Sequence, residues 1–427
     1  MPGRGALRAV DRRLAVSFVL LFAGLGAAQA ADVVDDGRLK RENLGGIGTL
    51  IRTEIAERHI PGAVVMIQRQ GKTVYLEAFG WRDEAERVPM TTDTIFQIYS
   101  MTKPITTVAA LMLVDDGRLK LDDPVAKYIP SFAQTKVGVE RKNERGETVL
   151  DLVPQSRPMT IEDLMRHSSG ITSGWYGASL VRKAYARAGL YAGDFDNAEL
   201  AERVARLPLA EQPGTEWDYG LSTDILGRVI EVVSGQSLYE FEKARLFDPL
   251  GMKDTSYRVL DVARQARLAE LLPEDSVVRN AFPRSPRLPR RFESGSGGLV
   301  STVADYARFC EMILHGGELE GRRYLTPETF RIMASNRLWP ASNVNPSAYY
   351  FPGDGFGFGL GFAVRTSRGV GNPPGSIGEL KWDGALGTYF WVDPKEDMFV
   401  ILMMQTPTWA ERIKPMLKQI VYDALGK

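Results

Sequence analysis

Strand-like segments occupy both ends of this sequence, and short helix-like segments fill the region between them. Near the amino end, the runs 62–69 and 73–79 are rich in apolar residues, and the glycine-bearing link between them predicts an antiparallel hairpin. Three similar runs close the chain, at 359–364, 387–392 and 398–404. Because strands are stable only when they pair and cover a core, this order predicts one antiparallel sheet built from both ends of the chain.

Helical periodicity is clearest at 102–115, where the apolar residues form one stripe and a glycine follows as a stop signal. Further helix-like runs lie at 47–59, 196–207, 222–233, 302–314, 327–333 and 412–424. We therefore predict an α/β fold of the α+β type. Its parts are a split sheet domain at 31–110 and 291–427 and a mainly helical domain at 111–290.

Residues 1–30 have the pattern of a targeting segment. Four arginines precede the apolar run 14–26, and Ala28 and Ala30 form a small-residue cleavage signal. Because the apolar run is too short to cross a bilayer comfortably, we expect 1–30 to be removed as a signal peptide, which leaves a mature protein without a membrane span. This pattern predicts an exported protein, either periplasmic or secreted.

Composition argues against several classes of function. Lys and Arg together number 53, as do Asp and Glu, so no global field attracts the chain to nucleic acid. The three histidines match no metal-ligand spacing, and we expect neither a metal nor an organic cofactor. Cys310 is the only cysteine, which excludes an intrachain disulfide, and we expect its thiol to pack as a small buried hydrophobe.

Ser100 and Lys103 form the one S-x-x-K sequence in the chain. The serine stands where a strand-like run meets the helix 102–115, and residues i and i+3 share a helix face, so the lysine Nζ can reach the hydroxyl. The positive end of the helix dipole pushes Lys103 toward a neutral amine, which can act as a base. Local features leave a second interpretation open, in which Ser100 only caps the helix and Lys103 is solvated.

A serine activated by histidine is the main rival mechanism. The sequence contains no G-x-S-x-G, and His167, the one tempting base, has no nucleophile on a strand-to-helix turn near it. We therefore favour a Ser–Lys pair over a Ser-His-Asp triad.

The segments around these residues carry a family resemblance. Residues 98–103, followed by 111–124, resemble the serine β-lactamase-like superfamily, which holds class C β-lactamases, DD-peptidases and family VIII esterases. Further segments resemble that family in the same order, at 164–171, 213–222, 297–302, 382–384 and 391–394. The resemblance runs from Ile47 to the carboxyl end. It implies a β-lactamase/DD-peptidase-like fold, an antiparallel sheet flanked by helices plus an all-helical domain.

The resemblance also implies roles for individual residues. Tyr219 lies in the family's second motif and would relay protons together with Ser100 and Lys103, although a plain core tyrosine is the alternative. Residues 382–384 stand in the place of the family's K-T-G. The backbone N–H groups of Ser100 and Ala385 would then form the oxyanion hole.

Two departures from the family pattern bear on the substrate. Trp382 stands where β-lactamases and DD-peptidases have a lysine, and Leu221 stands where they have an asparagine. Both departures resemble the family VIII esterase branch. We expect Trp382, Gly384 and Tyr176 to contact substrate, with a core tryptophan as the alternative for Trp382.

Together these features predict a serine hydrolase that acts through a Ser-Lys-Tyr acyl-enzyme, a carboxylesterase for short-chain or aryl esters. A β-lactamase or a D-amino-acid amidase or peptidase is one alternative, and a non-catalytic binding protein of the same fold is another. The expected partner is a small-molecule ester or amide. Oligomeric state is not determined by these patterns.

Overall fold

The computed structural model describes residues 41–175, 177–275, 285–338 and 352–426. The strands of this part of the chain, in order, are β1 (Gly62–Arg69), β2 (Lys72–Asp83), β3 (Val88–Pro89), β4 (Phe96–Gln97), β5 (Val137–Lys142), β6 (Thr148–Val153), β7 (Val300–Ser301), β8 (Glu318–Leu319), β9 (Arg322–Arg323), β10 (Phe356–Phe358), β11 (Ala363–Arg365), β12 (Leu380–Asp383), β13 (Tyr389–Asp393) and β14 (Met398–Met404).

The α-helices of the same residues are α1 (Arg41–Ala56), α2 (Thr102–Asp115), α3 (Ile161–Met165), α4 (Leu180–Arg187), α5 (Asn197–Ala205), α6 (Ser222–Ser234), α7 (Leu238–Glu242), α8 (Asp248–Leu250), α9 (Val262–Gln265), α10 (Val303–Leu314), α11 (Pro327–Met333) and α12 (Ala410–Ala424). A π-helical turn at Lys243–Phe247 joins α7 to α8.

Strands from both ends of the chain meet in the middle of one sheet. Among the described residues, the largest sheet has eight strands in the order β10-β11-β12-β13-β14-β1-β2-β3, and every neighbouring pair is antiparallel. The pair β14–β1, inside this sheet, joins the last described strand to the first, with Val64 opposite Met403. The predicted antiparallel sheet built from both ends is therefore confirmed.

The sheet separates two hydrophobic cores. Val64 and Met66 of β1 face the larger core, which contains helix α2 and much of the helical region. The alternate residues Val65 and Ile67 face a smaller core under α1 and α12. Since successive side chains of a strand point to opposite faces, both faces of β1 are covered and the strand is buried along its whole length, with an apolar run at 63–67.

The region between the sheet segments is helical, as predicted, but it also carries one hairpin that the sequence pattern did not indicate. Strands β5 and β6 pair antiparallel with Val137 opposite Val153. Their residues are mostly half-buried or exposed, so no strong apolar alternation marked them. The domain limits at 110 and 291 stay predictions.

One predicted strand is wrong in its extent. Residues 359–364 were expected to form a single strand, whereas β10 ends at Phe358 and β11 begins at Ala363. Gly359 donates its N–H to the Phe362 carbonyl at 2.8 Å, and Gly361 takes φ +77°. The glycines therefore form a turn in the middle of the apolar run, because glycine enters the left-handed region without steric penalty.

The predicted signal peptide at 1–30 lies outside the described residues. Within the part of the chain that the structure describes, no helix combines the length and the apolar character needed to cross a membrane.

Candidate active site

Ser100 lies in a single 3₁₀ turn, Tyr99–Met101, that leads directly into α2. Tyr99 has φ +44°, a strained conformation for a residue with a Cβ. Hydrogen bonds hold the turn: Ile98 donates its N–H to the Leu299 carbonyl at 3.1 Å, and the Met101 N–H returns to the Ile98 carbonyl at 3.0 Å. The chain therefore bends sharply at the serine, which stays partly accessible at the start of the helix.

Lys103 reaches back to the serine from the first turn of α2. Its Nζ lies 3.2 Å from Ser100 Oγ and 2.8 Å from the Ser296 carbonyl oxygen. Only 4% of the lysine is exposed. The structure therefore brings the predicted pair together, and the interpretation in which Lys103 is solvated does not fit this geometry.

Tyr219 converges on the same point from the segment before α6. Lys103 Nζ lies 4.5 Å from the centre of the Tyr219 ring, close enough for a cation–π contact. The Tyr219 hydroxyl accepts a hydrogen bond from Trp382 Nε1 at 3.3 Å. Serine, lysine and tyrosine thus form one cluster, as the sequence analysis predicts.

The end of β12 packs against the turn that carries the serine. A Cβ placed on Gly384 would lie 2.4 Å from the Ile98 carbonyl oxygen and 2.2 Å from Thr388 Oγ1. Thr388 Oγ1 in turn donates to the same Ile98 carbonyl at 3.2 Å. Only glycine can occupy position 384 at these distances. The next residue, Ala385, is exposed and follows the end of β12 beside the serine turn.

Trp382 is buried in the core, whereas a residue that contacts substrate at the rim of the site would be exposed. It is 3% exposed and packs against Phe358 and Tyr219, with ring centres 5.2 and 5.3 Å apart. Because alternate residues of a strand face opposite sides, the preceding Lys381 points away and lies over the Phe356 ring at 4.2 Å. Trp382 therefore supports Tyr219 from within the core. The other predicted contact residue, Tyr176, lies outside the described residues.

His167 lies under the site without the partners of a catalytic triad. Its ring centre is 4.8 Å from that of Tyr219, and neither ring nitrogen has a hydrogen-bond partner among the described residues. Burial, followed by the charge of Lys103, lowers the pKa of His167 well below its usual value. The imidazole is therefore uncharged at neutral pH and packs as part of the aromatic wall behind Tyr219.

Two groups of this site gave no signal in the sequence. The carbonyl oxygen of Ser296 is a backbone atom, so no side-chain type marks it. Asp224 accepts hydrogen bonds from the Ser294 hydroxyl and the Ser296 N–H, but its position in the sequence is that of an ordinary helix first-turn acid. Only the fold brings 294–296 beside Lys103.

Other chemistry-bearing side chains outside this site are paired with or packed against protein groups. In the described ranges, Glu54, Glu57 and His59 are the one group close enough together to share a metal ion. Arg412 lies 3.1 Å from Glu54, and the His59 ring stacks on Trp409 with centres 3.6 Å apart, so these side chains already have protein partners. The Cys310 thiol is fully buried, and burial raises its pKa well above the usual value.

Comparison with known proteins places this geometry in a family. The Beta-lactamase family model matches residues 47–422. Esterase EstB of Burkholderia gladioli is 31% identical, and the match covers 82% of this chain and 88% of the esterase. The lovastatin esterase of Penicillium rubens is 32% identical, and that match covers 82% of this chain and 90% of the esterase. The solved structure of EstCE1, described as a hydrolase with promiscuous acyltransferase activity, superposes with a TM-score of 0.73 at 24% identity, covering 89% of this chain and 99% of its own.

EstCE1 shows the fold alone at that identity, whereas the family match and the two esterases extend over most of the chain. This chain therefore belongs to the beta-lactamase family, in a β-lactamase-like serine hydrolase fold that it shares with esterases.

Proposed function

We propose that this protein is a carboxylesterase that forms an acyl-enzyme on Ser100. The observation that carries the proposal is the 3.2 Å contact between Lys103 Nζ and Ser100 Oγ in a largely buried cluster with Tyr219. A nucleophile and its base within hydrogen-bond reach are the signature of covalent catalysis. The esterases among its relatives support an ester as the substrate.

In the proposed reaction, Lys103 as a neutral amine takes the Ser100 proton while Oγ attacks the ester carbonyl carbon. The tetrahedral oxyanion is stabilised by the backbone N–H groups of Ser100 and Ala385. Collapse breaks the bond to the alcohol, which leaves with a proton relayed through Lys103 and Tyr219. Water then attacks the acyl-enzyme in the same way, releases the acid and restores Ser100.

The aromatic surroundings favour aryl and short-chain acyl esters over penicillin-like substrates. A buried indole, Trp382, occupies the place that the family resemblance gives to a carboxylate-binding lysine, and Leu221 occupies that of an amide. The Trp382 N–H already donates to Tyr219, and Leu221 has no donor, so neither side chain offers a positive charge to the carboxylate of a β-lactam or of a peptide terminus. This argument ranks esters above lactams and D-amino-acid amides as substrates.

Substitution of the nucleophile tests the proposal. Ser100→Ala should reduce p-nitrophenyl butyrate hydrolysis by at least about 10³-fold, since removing a serine nucleophile removes the covalent route. Ser234→Ala, at a half-buried serine that is the last residue of α6, is the control and should keep full activity. A fluorophosphonate probe should label Ser100 in the wild type. Undiminished turnover by Ser100→Ala, or labelling elsewhere, contradicts the proposal.

A substrate panel separates the ester from the amide alternatives. We expect kcat/KM for p-nitrophenyl acetate and butyrate to exceed that for nitrocefin by a wide margin. Nitrocefin turnover equal to that of the best ester would reverse the assignment and favour a β-lactamase.

Export is a separate proposal. It predicts that the mature chain begins at Ala31, after the cleavage signal formed by Ala28 and Ala30. Amino-terminal sequencing of the protein recovered outside the cytoplasm checks this, and an intact Met1 there would contradict it.

A further inference from the structure

Lys103 depends on a second hydrogen bond besides the one to the nucleophile. Its Nζ donates to the Ser296 carbonyl at 2.8 Å, a shorter contact than the 3.2 Å to Ser100 Oγ. A neutral amine has two N–H bonds and one lone pair. When one N–H is held by a carbonyl, rotation of the amine is restricted and the lone pair can be directed at the serine proton. The position of Ser296 therefore affects how well Lys103 serves as a base.

Asp224 holds the segment that supplies this carbonyl. Its Oδ1 accepts the Ser294 hydroxyl at 2.6 Å and the Ser296 N–H at 3.2 Å. The carboxylate is 2% exposed, so water does not compete for these hydrogen bonds. Charge-assisted hydrogen bonds of this kind are roughly twice as strong as neutral ones. One carboxylate oxygen thus fixes the peptide group that precedes the Ser296 carbonyl.

The same segment is held closely from both sides. A Cβ on Gly295 would lie 2.7 Å from the Thr223 carbonyl oxygen, so the loop backbone lies directly against the first turn of α6. On the other side, Thr106 Oγ1 donates to the Gly295 carbonyl at 3.1 Å. Thr106 is one helical turn after Lys103 on α2. The loop is therefore wedged between the helix that carries the base and the helix that follows Tyr219.

We propose that Asp224 is a positioning residue for the Lys103 base, acting through the Ser294–Ser296 segment. Asp224 touches no reacting atom. It lies in the first turn of α6, which begins three residues after Tyr219. The start of this one helix therefore positions both Tyr219 and the Ser296 carbonyl that accepts from Lys103. This inference rests on the proposed acyl-enzyme function.

The test compares Asp224→Ala, Asp224→Asn and Ser294→Ala. Asp224→Ala should lower both kcat/KM for p-nitrophenyl butyrate and the rate constant of Ser100 phosphonylation by about 10- to 100-fold, the effect expected when a catalytic group is misplaced by an ångström or less. The inhibition constant of butyrate, the acid product, should change less than about twofold, because ground-state binding does not use Lys103 as a base. Asp224→Asn keeps an oxygen acceptor and should restore most of the rate.

Asp305 supplies a matched control. It is also the third residue of its helix, α10, it is 7% exposed, and its Oδ2 accepts the Asp254 N–H at 2.7 Å and the Thr255 hydroxyl at 2.9 Å. Asp305→Ala should lower thermal stability about as much as Asp224→Ala while keeping the phosphonylation rate of the folded protein.

Equal losses of phosphonylation rate in Asp224→Ala and Asp305→Ala would show that Asp224 is only structural and would overturn the inference. If Asp224→Ala does not fold, Asp224→Asn and Ser294→Ala decide, because a positioning role requires Ser294→Ala to lose rate and Asp224→Asn to retain it. A wild-type protein that neither turns over esters nor is labelled at Ser100 overturns the proposed function itself, which is a distinct outcome.

Discussion

The indole N–H of Trp382 donates a hydrogen bond to the hydroxyl of Tyr219 across 3.3 Å. The donor occupies one acceptor position of the phenol oxygen and so restricts the orientation of the Tyr219 hydroxyl within the cluster. The buried Trp382 therefore holds the Tyr219 hydroxyl through a hydrogen bond, and its position in the sequence did not indicate this contact.

Trp382→Phe tests this relation by removing the N–H while keeping an aromatic ring. We expect kcat for p-nitrophenyl butyrate to decrease by about fivefold, which corresponds to the loss of one neutral hydrogen bond of about 1 kcal/mol. Trp391→Phe is the control, since that indole is also fully buried but its Nε1 has no hydrogen-bond partner among the described residues. Equal effects of the two substitutions on kcat would contradict the role assigned to Trp382.

Gly384→Ala should separate β12 from the serine turn. The added methyl would meet the Ile98 carbonyl oxygen at 2.4 Å, well inside van der Waals contact, so the strand end must move. We expect kcat/KM to fall by about 10²-fold, as for other ångström-scale displacements. Gly45→Ala, in α1 with open space at its Cβ, should instead raise the unfolding free energy by up to about 1 kcal/mol and leave kcat/KM unchanged. Wild-type activity in Gly384→Ala would disprove the close approach.

Glu242 should make stability depend on pH. Burial raises its pKa from 4.5 to about 8, and its oxygens lie 3.0 Å from Thr106 Oγ1 and 2.9 Å from Tyr257 OH. The folded protein thus binds this proton more tightly than the unfolded chain does. The resulting stabilisation is complete below the unfolded pKa and is lost as pH rises through the folded one.

Glu242→Gln should remove this dependence, because the amide keeps a donor and an acceptor without a charge. Urea denaturation from pH 5 to 8 should give a wild-type slope of up to about −1.4 kcal/mol per pH unit from this residue, and a flatter slope in the variant. The exposed Glu144→Gln should retain the wild-type slope. Identical slopes in all three proteins would show that Glu242 does not titrate in this range.

Arg182 and Asp218 form a buried ion pair next to Tyr219, with 2.8 Å between Nη2 and Oδ2 and 2% exposure for each residue. The same Arg182 Nη2 lies 3.8 Å from Glu211 Oε1, and burial, followed by the Asp218 charge, raises the pKa of Glu211 well above its usual value. Arg182→Met should lower the unfolding free energy by about 3–5 kcal/mol, because it leaves Asp218 buried and uncompensated.

Arg331→Met is the comparison for this prediction, since Arg331 pairs with Glu328 at the surface at a similar distance of 2.7 Å. Water screens that pair, so the urea midpoint should stay close to that of the wild type. A midpoint shift in Arg182→Met no larger than in the surface variant would be inconsistent with a stabilising role for the buried pair.

Much of the fold could be predicted because local patterns and packing agreed. The strands 62–69 and 398–404 and the helix 102–115 match the observed elements, since each is a long apolar run with a clear period and stop signals. The hairpin β5–β6 and the turn at Gly359–Gly361 were missed or misjudged. Both have weak local signals in the sequence. The residues of the hairpin are largely exposed or half-buried, and the turn lies inside an apolar run.

The sequence by itself determined the chemistry that this chain carries: a serine and a lysine three residues apart at a helix start, a tyrosine in a recognisable motif, and strands at both ends that must share a sheet. Only the tertiary structure decided how these groups are supported. The acceptor of Lys103 is a backbone carbonyl at Ser296, and the partner of Tyr219 is an indole on another strand. Such contacts join residues more than 160 positions apart. They arise from tertiary packing, which the local periodicity of a sequence does not predict.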